Sequence, residues 1–436
     1  MRQDLITMTA AQPYDLLVIG GGIYGVCVAW DAAQRGLSVA LVEQAEFGRA
    51  TSANSLKTLH GGLRYLQEAN LSRMRLMVRE RRAWMQMAPH LVRPLPFLLP
   101  TGSKVSRHKL LMGAALAVND WVSFDRNRGL PAEKRLPNSR LISRTQCLAH
   151  IPGLPAAQVT GGALWYDAQL LDSEAMLDAV LQTAVQQGAQ VANNTAVVGF
   201  QQSGRRLHGV MVEDKQSGRQ FPIEARLLVN CAGAWSDGLL ALVNGRCPAP
   251  TFHLSTAINL VTRQLLPEIA VGLPSRHSGR EQIRFIVPWQ DCSLIGTWHA
   301  AYDAPAPSYR VDEATIAACL ADINTIYPPA QLTRADVRQV HTGYLPARPT
   351  AEGAVRLVRE SVIHDHSRRD QLDGLISVIG VKYTTARHTA EKAVDLALSK
   401  LGYPFVPCQT AGTHLIKTER DPLARPAKWA QAHHHK

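Results

Sequence analysis

Residues 14–25, Tyr14-Asp15-Leu16-Leu17-Val18-Ile19-Gly20-Gly21-Gly22-Ile23-Tyr24-Gly25, run from an unbroken apolar stretch into a glycine turn. An apolar-periodic stretch leads on to Gly36, and Ser38-Val39-Ala40-Leu41-Val42-Glu43 forms a second apolar run closed by an acid. The order predicts strand, glycine turn, helix and strand. Gly20 permits the sharp turn, Gly22 lets backbone amides approach a pyrophosphate, and Gly25 lets the helix pack closely on the strand. Phosphate charge then meets the positive end of the helix dipole. Glu43 stands where a carboxylate accepts hydrogen bonds from a ribose and repels a 2′-phosphate. A purely structural turn requires neither the helix nor the acid at this distance. The stretch is therefore read as a dinucleotide site, with Ile23, Tyr24 and Gln44 beside the glycines and the acid.

The next segment, Thr51-Ser52-Ala53-Asn54-Ser55-Leu56-Lys57-Thr58-Leu59-His60-Gly61-Gly62-Leu63-Arg64-Tyr65-Leu66, chooses among dinucleotides. It resembles the flavin-proximal segment of the FAD-dependent glycerol-3-phosphate dehydrogenases, within the wider glycine- and D-amino-acid-oxidase group. Further echoes are Met87-Ala88-Pro89-His90-Leu91, Val229-Asn230-Cys231-Ala232-Gly233-Ala234-Trp235-Ser236-Asp237, Ile286-Val287-Pro288-Trp289, Gly296-Thr297 and Gly380-Val381-Lys382-Tyr383-Thr384-Thr385. The resemblance covers roughly residues 12–395 and implies FAD as cofactor. It assigns cofactor contacts to Gly20, Gly22, Ile23, Tyr24, Gly25, Glu43, Gln44, Thr51, Ser52, Ser55, Leu59, His60, Gly61 and Gly62. It adds Val197, Ala232, Gly233, Trp235, Gly343, Gly380, Lys382, Tyr383 and Thr384.

The implied fold is α/β, a Rossmann-like FAD-binding domain with an inserted α+β substrate domain. The FAD-binding domain is expected to be discontinuous, over residues 12–75, 150–250 and 335–400. Residues 76–149 and 251–334 are expected to form the substrate domain, with 401–436 as a C-terminal tail. Relatives usually continue into a helical C-terminal domain, which this sequence, ending at Lys436, is expected to lack. Locally, Asp172 is a good N-cap for a helix through Gln187, Gly188 ends it, and residues 189–191 and 195–200 read as strands. Arg226 to Trp235 reads as a buried strand entering a glycine turn. Pro305, Pro307, Pro328 and Pro329 mark loops.

Oxidation of an alcohol at a flavin requires a carbinol carbon near flavin N5, a base for the hydroxyl proton, and a stabiliser for charge growing near N1 and O2. His60, in a turn whose two glycines allow close approach, is the first candidate base. Lys382 precedes a helix opening at Thr384-Thr385 and can place a cation beside flavin or substrate. A phosphorylated substrate calls for arginines. The resemblance points to Arg64, with Tyr65 beside it, and to Arg359. A third family arginine aligns directly with Leu345, or with Arg348 after a short insertion. After Gly296-Thr297 the family usually has Thr-Asp; here Trp298-His299 brings a bulky ring and a second base, His299, to the expected pocket.

The chain has 436 residues, 46% hydrophobic, enough for a large core and about two domains. No apolar run approaches the roughly 18 residues of a spanning helix, and the N-terminus shows no apolar signal region. Seven cysteines without a Cys-x-x-Cys pair suit reduced cytoplasmic thiols and give no reason to expect a metal or iron–sulfur centre. The closing His433-His434-His435-Lys436 is too short to read as a metal site. Charge is uneven: from Arg64 to Arg144 there are sixteen Lys and Arg against five Asp and Glu, nearly all of the net +12. Arg73, Arg75, Arg79, Arg81 and Arg82 lie on one expected helix, read as a solvated basic face. Lys104, Arg107 and Lys109 precede the apolar stretch 110–118. This is either the solvated neighbour of an internal helix or a basic flank beside an apolar helix that suits an anionic membrane surface; the resemblance implies membrane quinone among the acceptors, with oxygen and a protein partner left open, and the protein is expected to be cytoplasmic, alone or peripheral on the inner membrane face. No aromatic platform accompanies the charge, so nucleic acid is not expected as a partner.

The reading is an FAD-dependent dehydrogenase of a small anionic secondary alcohol, glycerol 3-phosphate to dihydroxyacetone phosphate before others. The alternatives are an oxidase or dehydrogenase of another anionic hydroxy or amino compound, and a flavin-bearing electron-transfer subunit with no substrate of its own.

Overall fold

The structure is a computed structural model that describes Met8 and residues 13–243, 252–276, 281–302, 310–349 and 355–418. Pro305, Pro307 and the closing histidines lie outside the described residues.

Two sheets carry the architecture. The first runs, in spatial order, Val362–Asp365, Leu375–Ile379, Gln220–Asn230, Tyr14–Ile19, Val39–Val42 and Gln190–Ala192. Four of its five pairings in this order are parallel. Parallel strands covered on both faces read as continuous apolar runs, which is why residues 14–19 and 39–42 show no polar alternation. The helix Ile23–Gln34 crosses between them and is buried along most of its length. It packs with the helices Ser173–Gln186 and Ala386–Leu401 into one apolar core. Asp172 caps the second of these, accepting from the Glu174 and Ala175 amides at 2.8 and 3.0 Å, and Gly188 follows its end at φ +98°.

The second sheet orders Val355–Leu357, Val337–Pro349, His253–Arg263, Cys292–Tyr302, Gln282–Trp289, Ala270–Ser275, Val92–Thr101, Gly161–Leu170 and Thr58–Leu59. It draws in three stretches that the sequence division gave to the FAD-binding domain. Residues 161–170 pair antiparallel with 92–101 along their whole length, residues 337–349 do the same with 253–263, and Thr58-Leu59 closes the edge. Conversely, the helix Leu71–Met87, which the division splits near residue 75, buries Trp84, Met85 and Met87 in the core of the first sheet. The bidentate, buried Glu80–Arg387 pair, at 2.6 and 2.8 Å, ties it to the helix Ala386–Leu401.

The basic run on this helix is not a solvated face. Arg81 is buried against Asp167, Arg75 and Arg82 share Asp125, and Arg73 pairs with Glu360 at 2.9 Å. Arginine suits such positions because its planar fork fills several acceptors at once. The helix Lys109–Val122 behaves differently. Met112 and Leu116 turn inward, while Leu110, Leu111, Ala114, Ala117, Val118 and Trp121 form an exposed apolar stripe at helical spacing.

Candidate active site

The glycine turn is built as the sequence requires. Gly20 adopts φ +107°, and a Cβ on Gly25 would lie 1.9 Å from the Gly20 carbonyl oxygen, so the helix can reach the strand only without a side chain there. Gly22 heads the helix Ile23–Gln34 with no side-chain cap, which leaves a helix N-terminus for an anion. Ser52 Oγ accepts from the Ile23 amide at 3.0 Å. Glu43 accepts from the Gly21 and Ala45 amides at 2.7 and 2.9 Å; burial nevertheless raises its pKa.

Tyr24 has a role the sequence did not reveal. Its hydroxyl donates to the Lys382 carbonyl at 2.7 Å and accepts from the Val381 and Lys382 amides at 3.0 Å. Gly380 makes room for the ring, since a Cβ there would fall 2.2 Å from it. The first helix thus braces the turn that presents Lys382, Tyr383 and Thr384. Thr384 Oγ1 in turn accepts from the His60 amide at 3.3 Å, joining that turn to the His-Gly-Gly segment. Thr51 Oγ1 accepts from the Tyr344 amide at 3.0 Å, and Gly343 packs against the Thr51 side chain. The side chains of Ile23 and Leu59 lie in the apolar core, leaving only their backbones to face a ligand. Gln44 is exposed; Val197, Ala232, Gly233 and Trp235 lie on a strand and the turn after residues 220–230.

Asp167 organises the candidate base. Its carboxylate is buried; Oδ2 faces His60 Nδ1 at 3.2 Å, while Oδ1 accepts from the Gly61 amide at 2.6 Å and from Arg81. Burial pushes the carboxyl pKa up, but the hydrogen bond from His60 and the charge of Arg81 outweigh it and hold the net shift downward. The ionised carboxylate fixes the proton on Nδ1 and leaves His60 Nε2 as an acceptor. The His60 side chain is 43% exposed, so the ring can meet a ligand.

A cationic cluster lies beside this pair. Lys382 Nζ sits 4.3 Å from the centroid of the Tyr65 ring, whose hydroxyl is buried without a partner. Burial, with the neighbouring charge of Arg64, lowers the Lys382 pKa to about 8. His299 is held to about 4 by burial and by the charges of Arg284 and Arg64, and its buried Nδ1 has no partner. Arg64 therefore acts electrostatically on both, so two cations and a neutral imidazole share one electrostatic environment.

Two expected neighbours are placed otherwise. Trp298 turns to the opposite face of its strand, buried with Nε1 donating to Asp322 Oδ2 at 2.8 Å, because side chains alternate and His299 takes the inner face. Arg348 is exposed and lies over the Phe252 ring at 5.9 Å, on the strand face opposite Gly343, whereas Leu345 shares the Gly343 face. Arg359 forms an ion pair with Glu68, and both act electrostatically on Arg73, whose guanidinium lies over the Tyr65 ring at 4.7 Å.

The sequence pattern of the family described as FAD dependent oxidoreductase matches residues 15–396. The chain belongs to that family. This oxidoreductase is 32% identical over 422 residues to the glycerol-3-phosphate dehydrogenase of Synechocystis sp., covering 94% of this chain and 74% of that protein. It is 33% identical to the corresponding protein of Mycobacterium leprae, covering 92% of this chain and 65% of that one. The glycerol-3-phosphate dehydrogenase from Bacillus halodurans complexed with FAD superposes with a TM-score of 0.71 at 26% identity, over 94% of this chain and 68% of that chain. The chain thus spans about two thirds to three quarters of these relatives' length. The flavoenzyme's cofactor is FAD, and the residues fit it: a helix N-terminus headed by Gly22, an acid at the end of the second strand, glycines at each close approach, and a cation at Lys382.

Proposed function

We propose that the enzyme oxidises glycerol 3-phosphate to dihydroxyacetone phosphate. What supports this reading is that the charge of Arg64 acts on both Lys382 and His299, while Asp167 orients the partly exposed His60. Bound FAD supplies the hydride acceptor. Arg64 and Lys382 hold the phosphate, Arg64 through its bidentate fork and Lys382 as a point charge. His60 Nε2 takes the hydroxyl proton, and Asp167 stabilises the imidazolium so formed. The visible spectrum of the anaerobic protein tests the reading. Glycerol 3-phosphate should bleach the flavin, while glycerol and amino acids should not; bleaching by an amino acid alone would refute it.

The same reading extends to location and acceptor. No helix among the described residues is long and apolar enough to cross a membrane. We infer peripheral contact with an anionic bilayer, with quinone as acceptor. Val105, Leu110, Leu111, Trp121 and Phe124 are all more than half exposed, next to the exposed Lys109, and basic residues near an anionic surface add about 1 kcal/mol each. The protein should sediment with phosphatidylglycerol vesicles, and the double substitution Leu110→Ser with Trp121→Ser should abolish this. Unchanged sedimentation of that variant would sink the membrane reading.

A further inference from the structure

Three consecutive residues, 359–361, are each tied to a different element. Arg359 pairs with Glu68, Glu360 pairs with Arg73 at 2.9 Å, and Ser361 Oγ lies 3.0 Å from the Tyr24 hydroxyl. That hydroxyl also holds the Lys382 backbone, donating to its carbonyl and accepting from its amide. Lys382 Nζ and the Arg73 guanidinium both lie over the Tyr65 ring, at 4.3 and 4.7 Å from its centroid. The contacts therefore close a circuit from Tyr24 through Ser361, Glu360, Arg73, Tyr65 and Lys382 back to Tyr24.

The links of this circuit are unequal. The Arg73 side chain is 11% exposed and Tyr65 is buried, whereas the Glu360 side chain is 68% exposed. An exposed ion pair contributes little, while a cation held over a ring away from water contributes more. Arg73 is thus fastened chiefly to Tyr65, with Glu360 steadying its fork. The Tyr65 hydroxyl is buried without a partner, a donor left unmatched next to an ammonium. A phosphate oxygen would satisfy both.

We propose that Arg73 is a positioning residue for substrate binding. Stacked on Tyr65 and pinned through Glu360 to residues 359–361, it fixes the phenol beside Lys382 so that hydroxyl and ammonium meet the same phosphate. The inference rests on the glycerol 3-phosphate reading above and adds to it a residue outside the His-Gly-Gly-Leu-Arg-Tyr motif.

Titration of the oxidised, FAD-loaded protein with inorganic phosphate, read from the flavin absorbance, tests the seat without turnover. Anaerobic stopped-flow with glycerol 3-phosphate separates affinity from the limiting rate of bleaching. Arg73→Met should weaken both ligands about tenfold, the loss of a buried cation–ring contact, with the limiting rate and FAD content at wild-type values. Arg73→Lys, which keeps a cation for the ring, should recover most of the affinity. Glu360→Gln, at an exposed position, should weaken phosphate about threefold, the scale of an exposed ion pair. Wild-type phosphate affinity in both Arg73→Met and Glu360→Gln overturns the proposal. So does a fall in rate, FAD content and unfolding temperature together in Arg73→Met with no recovery in Arg73→Lys, because Arg73 would then serve packing alone. A wild type whose flavin spectrum ignores phosphate overturns it too, since the Tyr65–Lys382 end would seat no anion. If phosphate binds and glycerol 3-phosphate fails to bleach the flavin, the substrate reading fails, while the phosphate titration still decides Arg73.

Discussion

Replacing Asp167 by asparagine isolates what this carboxylate does for His60. The amide oxygen can keep the Gly61 and Arg81 contacts of Oδ1, while an NH2 group takes the place of Oδ2, 3.2 Å from His60 Nδ1. That group donates where the carboxylate accepted, so the imidazole proton moves to Nε2 and the base faces the substrate already protonated. General base catalysis is worth about 10²–10⁴ in rate, and Asp167→Asn should lower the rate of flavin reduction by about a thousandfold, roughly 4 kcal/mol. Binding of glycerol 3-phosphate should change little, since Arg64 and Lys382 are untouched. The buried Arg81 keeps a hydrogen bond but loses a counter-charge, which should cost about 1–3 kcal/mol of stability. Anaerobic stopped-flow bleaching gives the rate, and thermal unfolding by circular dichroism shows whether the variant is folded. A folded Asp167→Asn protein reduced at the wild-type rate would refute the assignment of His60 as base.

Lys382→Met should raise KM for glycerol 3-phosphate about thirtyfold, as expected for a lost charged hydrogen bond, with the FAD content unchanged when measured by absorbance. Affinity for the substrate should fall as pH rises through about 8, where Lys382 loses its proton; a flat KM from pH 7 to 9.5 would contradict this. Stability should move the opposite way. The folded pKa of about 8 lies below the ordinary 10.5, so the unfolded chain binds more protons between these values. Unfolding free energy from urea titration should therefore rise across that window, a trend Lys57 reinforces. Gly25→Ala should lower the recovered FAD content and the unfolding midpoint together, because its Cβ has nowhere to go beside the Gly20 carbonyl.

The first sheet was readable because its information is local: an apolar run, a glycine turn and an acid fall within residues 14–43. The cap at Asp172 was readable for the same reason. His60, Arg64 and Lys382 were proposed from motif resemblance and His299 from a departure from it; in the structure the charge of Arg64 acts on both Lys382 and His299. Asp167 was missed because it sits within a largely buried strand, and its partners His60, Gly61 and Arg81 lie 86–107 residues away. Arg81 was misread for the complementary reason, since one helix face of arginines looks solvated until its acids arrive from elsewhere. Trp298 was placed near the pocket by proximity to Thr297, whereas strand alternation and Asp322 decide which way it turns. The domain division follows sequence continuity, whereas residues 161–170 and 337–349 pair into the second sheet with strands remote in sequence.

The Glu80–Arg387 pair joins residues 307 positions apart. At about 5–20 residues per second of synthesis, the acid leaves the ribosome roughly 15–60 s before its guanidinium. During that interval the helix Leu71–Met87 holds an unmatched carboxylate and an apolar face with Trp84 and Met85 uncovered. The nascent chain therefore cannot close its cofactor domain progressively from the N-terminus. Flavin capture must follow translation of the helix Ala386–Leu401, and until then the emerging polypeptide depends on its surroundings to keep that face from sticking elsewhere.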